Sequence, residues 1–199
     1  KPPYLGIHTV YSGFNQAFKE HFGRNPVEVT KRMSEEGKVV ILGCPYDGSA
    51  SFRPGARFGP SAIRKASWGI ETFSPYFGQD LSQLSLHDMG DLELPLGEKK
   101  ASLDLIRKAL HTILSGKKFP ILLGGDHLIT LPIVEEILLV YPKPYLLHLD
   151  AHTDLREEYL GDTLNHSTMI KRLVDRLGKG KLLQVGIRAG TEEEPKWAR

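Results

Sequence analysis

Three side chains of the kind that bind metals recur at every second position near the middle of the chain: Asp150, His152 and Asp154. They follow an apolar run, residues 144–149, which is typical of a short buried β-strand. In an extended backbone, residues two positions apart point to the same side, so the strand end presents two carboxylates and an imidazole on one face. Burying this face without a counter-charge is costly, and a bound cation removes that cost. The spacing therefore predicts half of a metal site.

A further candidate ligand, His127, follows a similar pattern earlier in the chain. An apolar run at 119–123 leads into two glycines, then Asp126 and His127, and residues 128–140 carry apolar side chains at helical spacing. The pattern predicts a strand, a glycine turn, a polar pair and a helix. Ligands of open α/β sheets bind outside the carboxyl ends of parallel strands, so both motifs are expected at the same edge of the sheet. We predict that His127 lies beside the other three ligands and that Asp126 orients it.

The elements that must position these residues alternate between strands and helices from residue 39 onward. Short apolar runs of strand length alternate with amphipathic segments of helical period, which favours a parallel sheet with helices on both faces. The predicted fold class is therefore α/β, with three layers (αβα) and a mainly parallel sheet. We expect one such domain, at residues 37–199, because a chain of 199 residues accommodates a single domain with a small addition.

The first 36 residues have a different pattern. Phe14, Phe18 and Phe22 recur every four positions and predict an amphipathic helix that ends at Gly23. We expect residues 1–36 to form a helical extension that packs on the domain or on a neighbouring subunit. The alternative is a DNA-binding element, whose binding to duplex DNA would depend steeply on salt.

The Gly-Gly-Asp-His and Asp-Ala-His-Thr-Asp motifs resemble those of the ureohydrolases, the family of arginase and agmatinase. The resemblance covers about residues 39–199, and the loop Ser-Phe-Arg-Pro-Gly-Ala-Arg-Phe-Gly-Pro at 51–60 is more similar to the agmatinase branch than to arginase. It implies an arginase-like fold and two bound manganese ions. The implied reaction is hydrolysis of a guanidino C–N bond with release of urea, and the first expectation is agmatine hydrolysed to putrescine and urea. Arginase-type and formiminoglutamase-type hydrolysis are the alternatives.

The resemblance also implies a role for each candidate site residue. His127 and Asp154 would bind one manganese ion, His152 the other, and Asp150 would bridge the two. His166, in Asn-His-Ser-Thr-Met, resembles a family histidine near the substrate that is proposed to shuttle protons. In such a site, the paired ions activate a water that attacks the guanidinium carbon, and a histidine protonates the leaving amine.

The sequence departs from the family in one respect. A later family motif, Ser-x-Asp-x-Asp-x-x-Asp, supplies further metal ligands and does not occur here. We therefore expect the α/β domain to be incomplete at its C-terminus, and a dinuclear site is in doubt. The alternative to an enzyme is a non-catalytic fragment that keeps the fold and has an incomplete metal site.

Composition and charge indicate no particular class of partner. The chain has 26 basic and 24 acidic residues, a balance that gives no argument for a nucleic-acid or membrane partner. Cys44 is the only cysteine, so no internal disulfide can form, and a reducing cytoplasm is the expected location. The resemblance adds a guanidino substrate and a homo-oligomer, either a trimer or a hexamer.

Other charged and polar residues have more ordinary interpretations. His148 is predicted to be structural, because it lies inside a strand. The arginines of the first glycine-rich loop and its helix are expected to pair with carboxylates or to contact another subunit, since a cationic substrate argues against an anion site. The acidic run 192–194 is expected to be solvated. The alternative role for this run is to attract a cationic substrate.

Overall fold

The computed structural model describes residues 38–194. The expectations for residues 1–36 therefore lie outside the described residues. The strands are β1 (Val39–Cys44), β2 (Phe73–Ser74), β3 (Gln79–Asp80), β4 (Leu86–Asp91), β5 (Phe119–Gly124), β6 (Leu146–Leu149) and β7 (Leu182–Val185). The α-helices are α1 (Gly59–Ser67), α2 (Lys99–Ser115), α3 (Thr130–Val140) and α4 (Met169–Leu177). None of the helices within 38–194 combines the length and apolar character that a membrane crossing requires.

The longer strands pair in parallel. β1 lies between β4 and β5, giving the order β4-β1-β5, and β6 pairs with β7. The short strands β2 and β3 form an antiparallel hairpin. Parallel neighbours need crossover connections: α1 lies between β1 and β4, α1 and α2 lie between β1 and β5, and α4 lies between β6 and β7. The prediction of a mainly parallel α/β sheet is confirmed.

The core forms where the helices pack against one another and against the central strand. α2 buries a stripe at helical spacing that includes Leu103, Ile106, Leu110 and Ile113. α2 contacts α3, α3 contacts α4, and α1 contacts β1 and β5. Full burial of one such aliphatic side chain contributes roughly 1.5–3 kcal/mol. This packing holds the carboxyl end of β5, where His127 follows, and β6 is held by its pairing with β7.

Strand β6 is buried on one face only, which differs from the prediction of a buried strand. His148 is buried and Leu146 is half-buried, whereas Leu147 and Leu149 are exposed. Successive strand residues point to opposite faces, so one face of β6 packs inward and the other points away from the core. An apolar run cannot separate a strand buried on both faces from one buried on a single face.

A buried ion-pair cluster joins α1 to the end of β4. The guanidinium of Arg64 donates to both carboxylate oxygens of Asp88, at 2.7 and 2.8 Å, and to the carbonyl of Gly90 at 3.0 Å. It also pairs with Asp91. Arg57 likewise donates from Nε to Asp47, at 2.7 Å. The expected pairing of loop arginines with carboxylates therefore occurs at these two positions.

Candidate metal centre

The glycine turn after β5 places His127 at the start of a short 3-10 helix, residues 127–129. Asp126 caps this helix, because its Oδ1 accepts a hydrogen bond from the backbone N–H of Leu128 at 2.9 Å. Its other oxygen accepts from the backbone N–H and the hydroxyl of Ser49, both at 2.9 Å. Asp126 is predicted to orient His127. Through these hydrogen bonds its carboxylate fixes the turn that carries His127 and ties it to the loop after β1.

Gly125 lies against the backbone of that loop. A Cβ at this position would be 1.9 Å from the carbonyl oxygen of Tyr46 and 2.7 Å from its nitrogen. The same carbonyl accepts a hydrogen bond from the backbone N–H of Asp126 at 2.7 Å. Only glycine allows this approach, so the turn that carries His127 depends on it.

We predict that Gly125→Ala destabilises the protein by about 3 kcal/mol, because the methyl group meets backbone that cannot move without breaking the turn. Gly124→Ala is the control: its Cβ would meet the flexible Cδ1 of Ile129 at 2.5 Å, which can rotate away. Urea denaturation measures both variants. Equal unfolding free energies for the two variants would contradict the prediction.

The structure brings His127, Asp150 and Asp154 together. His127 Nδ1 lies 2.7 Å from Oδ2 of Asp154 and 3.5 Å from Oδ2 of Asp150. His148, predicted to be structural, adds a fourth side chain, since its Nε2 lies 3.6 Å from Oδ2 of Asp150. One potential ligand atom from each of the four residues lies within 4.8 Å of the others. Two carboxylates that face the same imidazole nitrogen create a compact anionic centre, and imidazole with carboxylate suits a divalent ion such as manganese.

His152 lies on the other side of Asp150. Its Nδ1 is 3.4 Å from Oδ1 of Asp150, and its side chain is 66% exposed. The two oxygens of Asp150 therefore face different histidines, with Oδ2 toward His127 and Oδ1 toward His152. A carboxylate in this orientation can join two metal positions.

The assumption of an extended backbone beyond β6 is wrong. The strand ends at Leu149, and Asp154 has a φ of +53°, in the left-handed region. Ala151 forms a bend and His152 an isolated parallel bridge with Ala189, so irregular backbone, and not strand alternation, brings Asp154 to His127.

The electrostatic surroundings favour the protonation states that bind metals. Burial alone raises the pKa of Asp150, but the backbone N–H of His152 and the nearby imidazoles outweigh it, so the pKa lies below its ordinary value. Burial, and then the neighbouring His127, lower the pKa of His148. An ionised Asp150 beside a neutral His148 is compatible with a bound cation.

His166 is held by the loop after β1. Its Nδ1 lies 2.7 Å from the carbonyl oxygen of Ser49, and its backbone N–H donates to the Ser49 hydroxyl at 3.0 Å. A carbonyl oxygen only accepts, so Nδ1 carries the proton and the lone pair is on Nε2. Ser49 therefore links the capping residue Asp126 to His166. No pattern in the sequence indicated this link, because residues 49 and 166 meet only through the tertiary fold.

A cavity of about 420 Å³ adjoins the metal centre and His166. Its lining combines candidate site residues with polar and aromatic neighbours: Ser51, His152, Asp154, Arg156, Tyr159, His166, Ser167, Ala189, Gly190 and Glu194. The guanidinium of Arg156 lies 4.7 Å from the centre of the Tyr159 ring and 3.5 Å from Glu194. Glu194 is only 3% exposed, so the expectation of a fully solvated acidic run is wrong at this position.

Residues 37–199 match the sequence model of the Arginase family, and the chain belongs to that family. Its fold is arginase-like αβα, as predicted; an arginase from Medicago truncatula has the same fold, with a TM-score of 0.75 over 93% of this chain at 23% identity. The chain is 46% identical over 165 residues to an agmatinase of Bacillus cereus, covering 83% of this chain and 57% of that protein. The structure of an agmatine ureohydrolase of Thermoplasma volcanium matches with a TM-score of 0.74 at 33% identity, covering 83% of this chain and 56% of that one. The chain thus spans less than two thirds of the length of these relatives.

Proposed function

We propose that this chain carries residues of the active site of a manganese-dependent amidinohydrolase, which hydrolyses agmatine to putrescine and urea. The observation that supports the proposal most is the meeting of His127, Asp150 and Asp154 beside a cavity that His166 also lines. The similarity to agmatinases supports the choice of agmatine. The proposal includes a cytoplasmic location, a domain at 37–199 and a homo-oligomer, trimeric or hexameric.

Four residues would hold the metal. His127 and Asp154 would bind one manganese ion, His152 the second, and Asp150 both. The residues fit a cation, because two carboxylate oxygens face the same nitrogen of His127, at 2.7 and 3.5 Å. Bound divalent ions supply the activation of water at neutral pH.

His166 would move the proton. With its Nδ1–H donated to the Ser49 carbonyl, Nε2 is the nitrogen that exchanges a proton with the substrate. A protonated Nε2 would donate to the leaving amine nitrogen when the C–N bond breaks.

We predict that His166→Asn lowers kcat for urea release by roughly 100-fold or more, because a positioned general acid contributes this much. Manganese content should not change, since His166 is not among the proposed ligands. His111→Asn, at an exposed histidine of α2, is the control and should leave kcat unaltered.

The experiment measures bound manganese and urea from agmatine, in this chain and in the longest form of the protein that can be expressed. Arginine, guanidinobutyrate and formiminoglutamate are tested in parallel, with formamide measured for the last. If manganese binds and none of these products forms, the proposed activity is wrong and the chain is a non-catalytic fragment. Formamide in place of urea would assign formiminoglutamase-type activity.

A further inference from the structure

The ring of His148 lies against the candidate metal centre with one nitrogen unsatisfied. The residue is 5% exposed, and its Nε2 makes no hydrogen bond in the part of the chain that the structure describes. This nitrogen faces Oδ2 of Asp150, and the ring centroid lies 5.0 Å from that of His127. Two roles fit this position. A lone pair on Nε2 would make His148 a fourth metal ligand, and a proton on Nε2 would make it a hydrogen-bond donor.

The hydrogen bonds of the Gln184 amide distinguish these two roles. Gln184 faces His148 across the β6–β7 pair, and its Nε2 lies 2.8 Å from His148 Nδ1 and 2.8 Å from the carbonyl oxygen of Thr153. The carbonyl only accepts hydrogen bonds, so the amide must present its NH₂ group there. The reversed amide would bring its own oxygen against the carbonyl oxygen, with two acceptors in contact. His148 Nδ1 is therefore the acceptor, and in the neutral ring the proton is on Nε2.

We propose that His148 is a positioning residue of the metal centre, which donates Nε2–H to Oδ2 of Asp150 and does not bind the metal. The proposal rests on the proposed function, in which Asp150 is the shared ligand. His148 Nε2 and Asp150 Oδ2 are 3.6 Å apart. An approach of about 0.5 Å would give an ordinary N–H···O hydrogen bond between them. Oδ1 of Asp150 already accepts from the backbone N–H of His152 at 2.7 Å. Donors on both oxygens fix the plane of this carboxylate, and such outer contacts tune metal affinity.

Nitrogen-15 NMR of the histidine-labelled chain tests the proton position, with and without Zn²⁺ as a diamagnetic probe. Multiple-bond ¹H–¹⁵N spectra distinguish the two ring nitrogens, and His148→Gln identifies the His148 signals by their loss. We expect the proton on Nε2 in both states. A proton on Nδ1 in the metal-free chain, or loss of the Nε2 proton when Zn²⁺ binds, would overturn the proposal. If Zn²⁺ does not bind and Nε2 keeps its proton, the donor assignment is supported and the metal proposal fails instead.

Metal affinity provides the second readout. His148→Gln retains an N–H near the position of Nε2, so its Zn²⁺ affinity should stay within about 3-fold, whereas His148→Leu should lose roughly 10- to 100-fold. An equal loss in both variants would overturn the donor role.

Gln184→Glu replaces the NH₂ group by an acceptor and should move the His148 proton to Nδ1. An unchanged tautomer in this variant would show that Gln184 does not set it, and would overturn the argument.

Discussion

Replacing Asp154 by asparagine should reduce manganese affinity by roughly 100-fold or more, because loss of a direct ligand exceeds the effect of outer contacts. Oδ2 of Asp154 lies 2.7 Å from His127 Nδ1, and the side chain is buried. Asparagine keeps the size of the side chain and removes its charge. It also tolerates the left-handed backbone of this position, φ +53°, which would cost alanine about 1 kcal/mol or more. The variant therefore separates metal binding from backbone strain.

Metal-linked stability checks this expectation without any need for activity. A ligand that binds only the folded chain stabilises it by about 2.7 kcal/mol at 100 times its Kd. Manganese at this concentration should raise the unfolding free energy of the unmodified chain by this order and that of Asp154→Asn by about 0.4 kcal/mol or less. Asp175→Asn, at an exposed carboxylate that pairs with Lys171 on α4, is the control. Equal stabilisation of Asp154→Asn and the unmodified chain would show that Asp154 is not a ligand.

The sequence predicted the framework of this site because that framework depends on local patterns. The strand expected at 119–123 coincides with β5, and strand, glycine turn and helix follow one another at His127 as expected. Both motifs lie at carboxyl ends of parallel strands, and the irregular backbone after β6 then brings Asp154 to His127. The two residues meet although, among the described residues, β5 and β6 lie in separate hydrogen-bonded sheets.

The surroundings of the site could not be predicted in the same way, because they depend on contacts between distant segments. Ser49 joins Asp126 to His166 across 77 and 117 positions of sequence. Glu194 is buried although it ends an acidic run. His148 had a usable signal: it lies two positions before Asp150, and strand alternation alone places it on the same face as that carboxylate. The prediction of a structural role depended instead on its place inside the strand.

Replacing Arg64 by methionine should destabilise the protein by roughly 3–5 kcal/mol, since it removes one partner of a buried ion pair. Burial alone lowers the pKa of Arg64, but its hydrogen bonds to Asp88 and Asp91 outweigh burial and raise the pKa above its ordinary value. Without the guanidinium, the buried carboxylate of Asp88 keeps only weaker partners, among them the backbone N–H of Gly90 at 2.9 Å. The loss of unfolding free energy comes from the uncompensated buried charge of Asp88. Methionine replaces only the packing of the aliphatic part of the arginine side chain.

Urea denaturation of two further variants identifies the cause of this loss. Arg64→Met combined with Asp88→Asn should recover about 1–2 kcal/mol, because the second change removes the uncompensated charge. Arg176→Met removes an exposed arginine whose partner, Glu135, still pairs with Arg107, and should cost about 0–1 kcal/mol. If Arg64→Met costs no more than Arg176→Met, the cluster does not hold α1 to β4. If Arg64→Met costs more and the double variant recovers part of the loss, charge compensation inside the fold stabilises this end of the sheet. This end lies beside the loop on which the His127 turn packs.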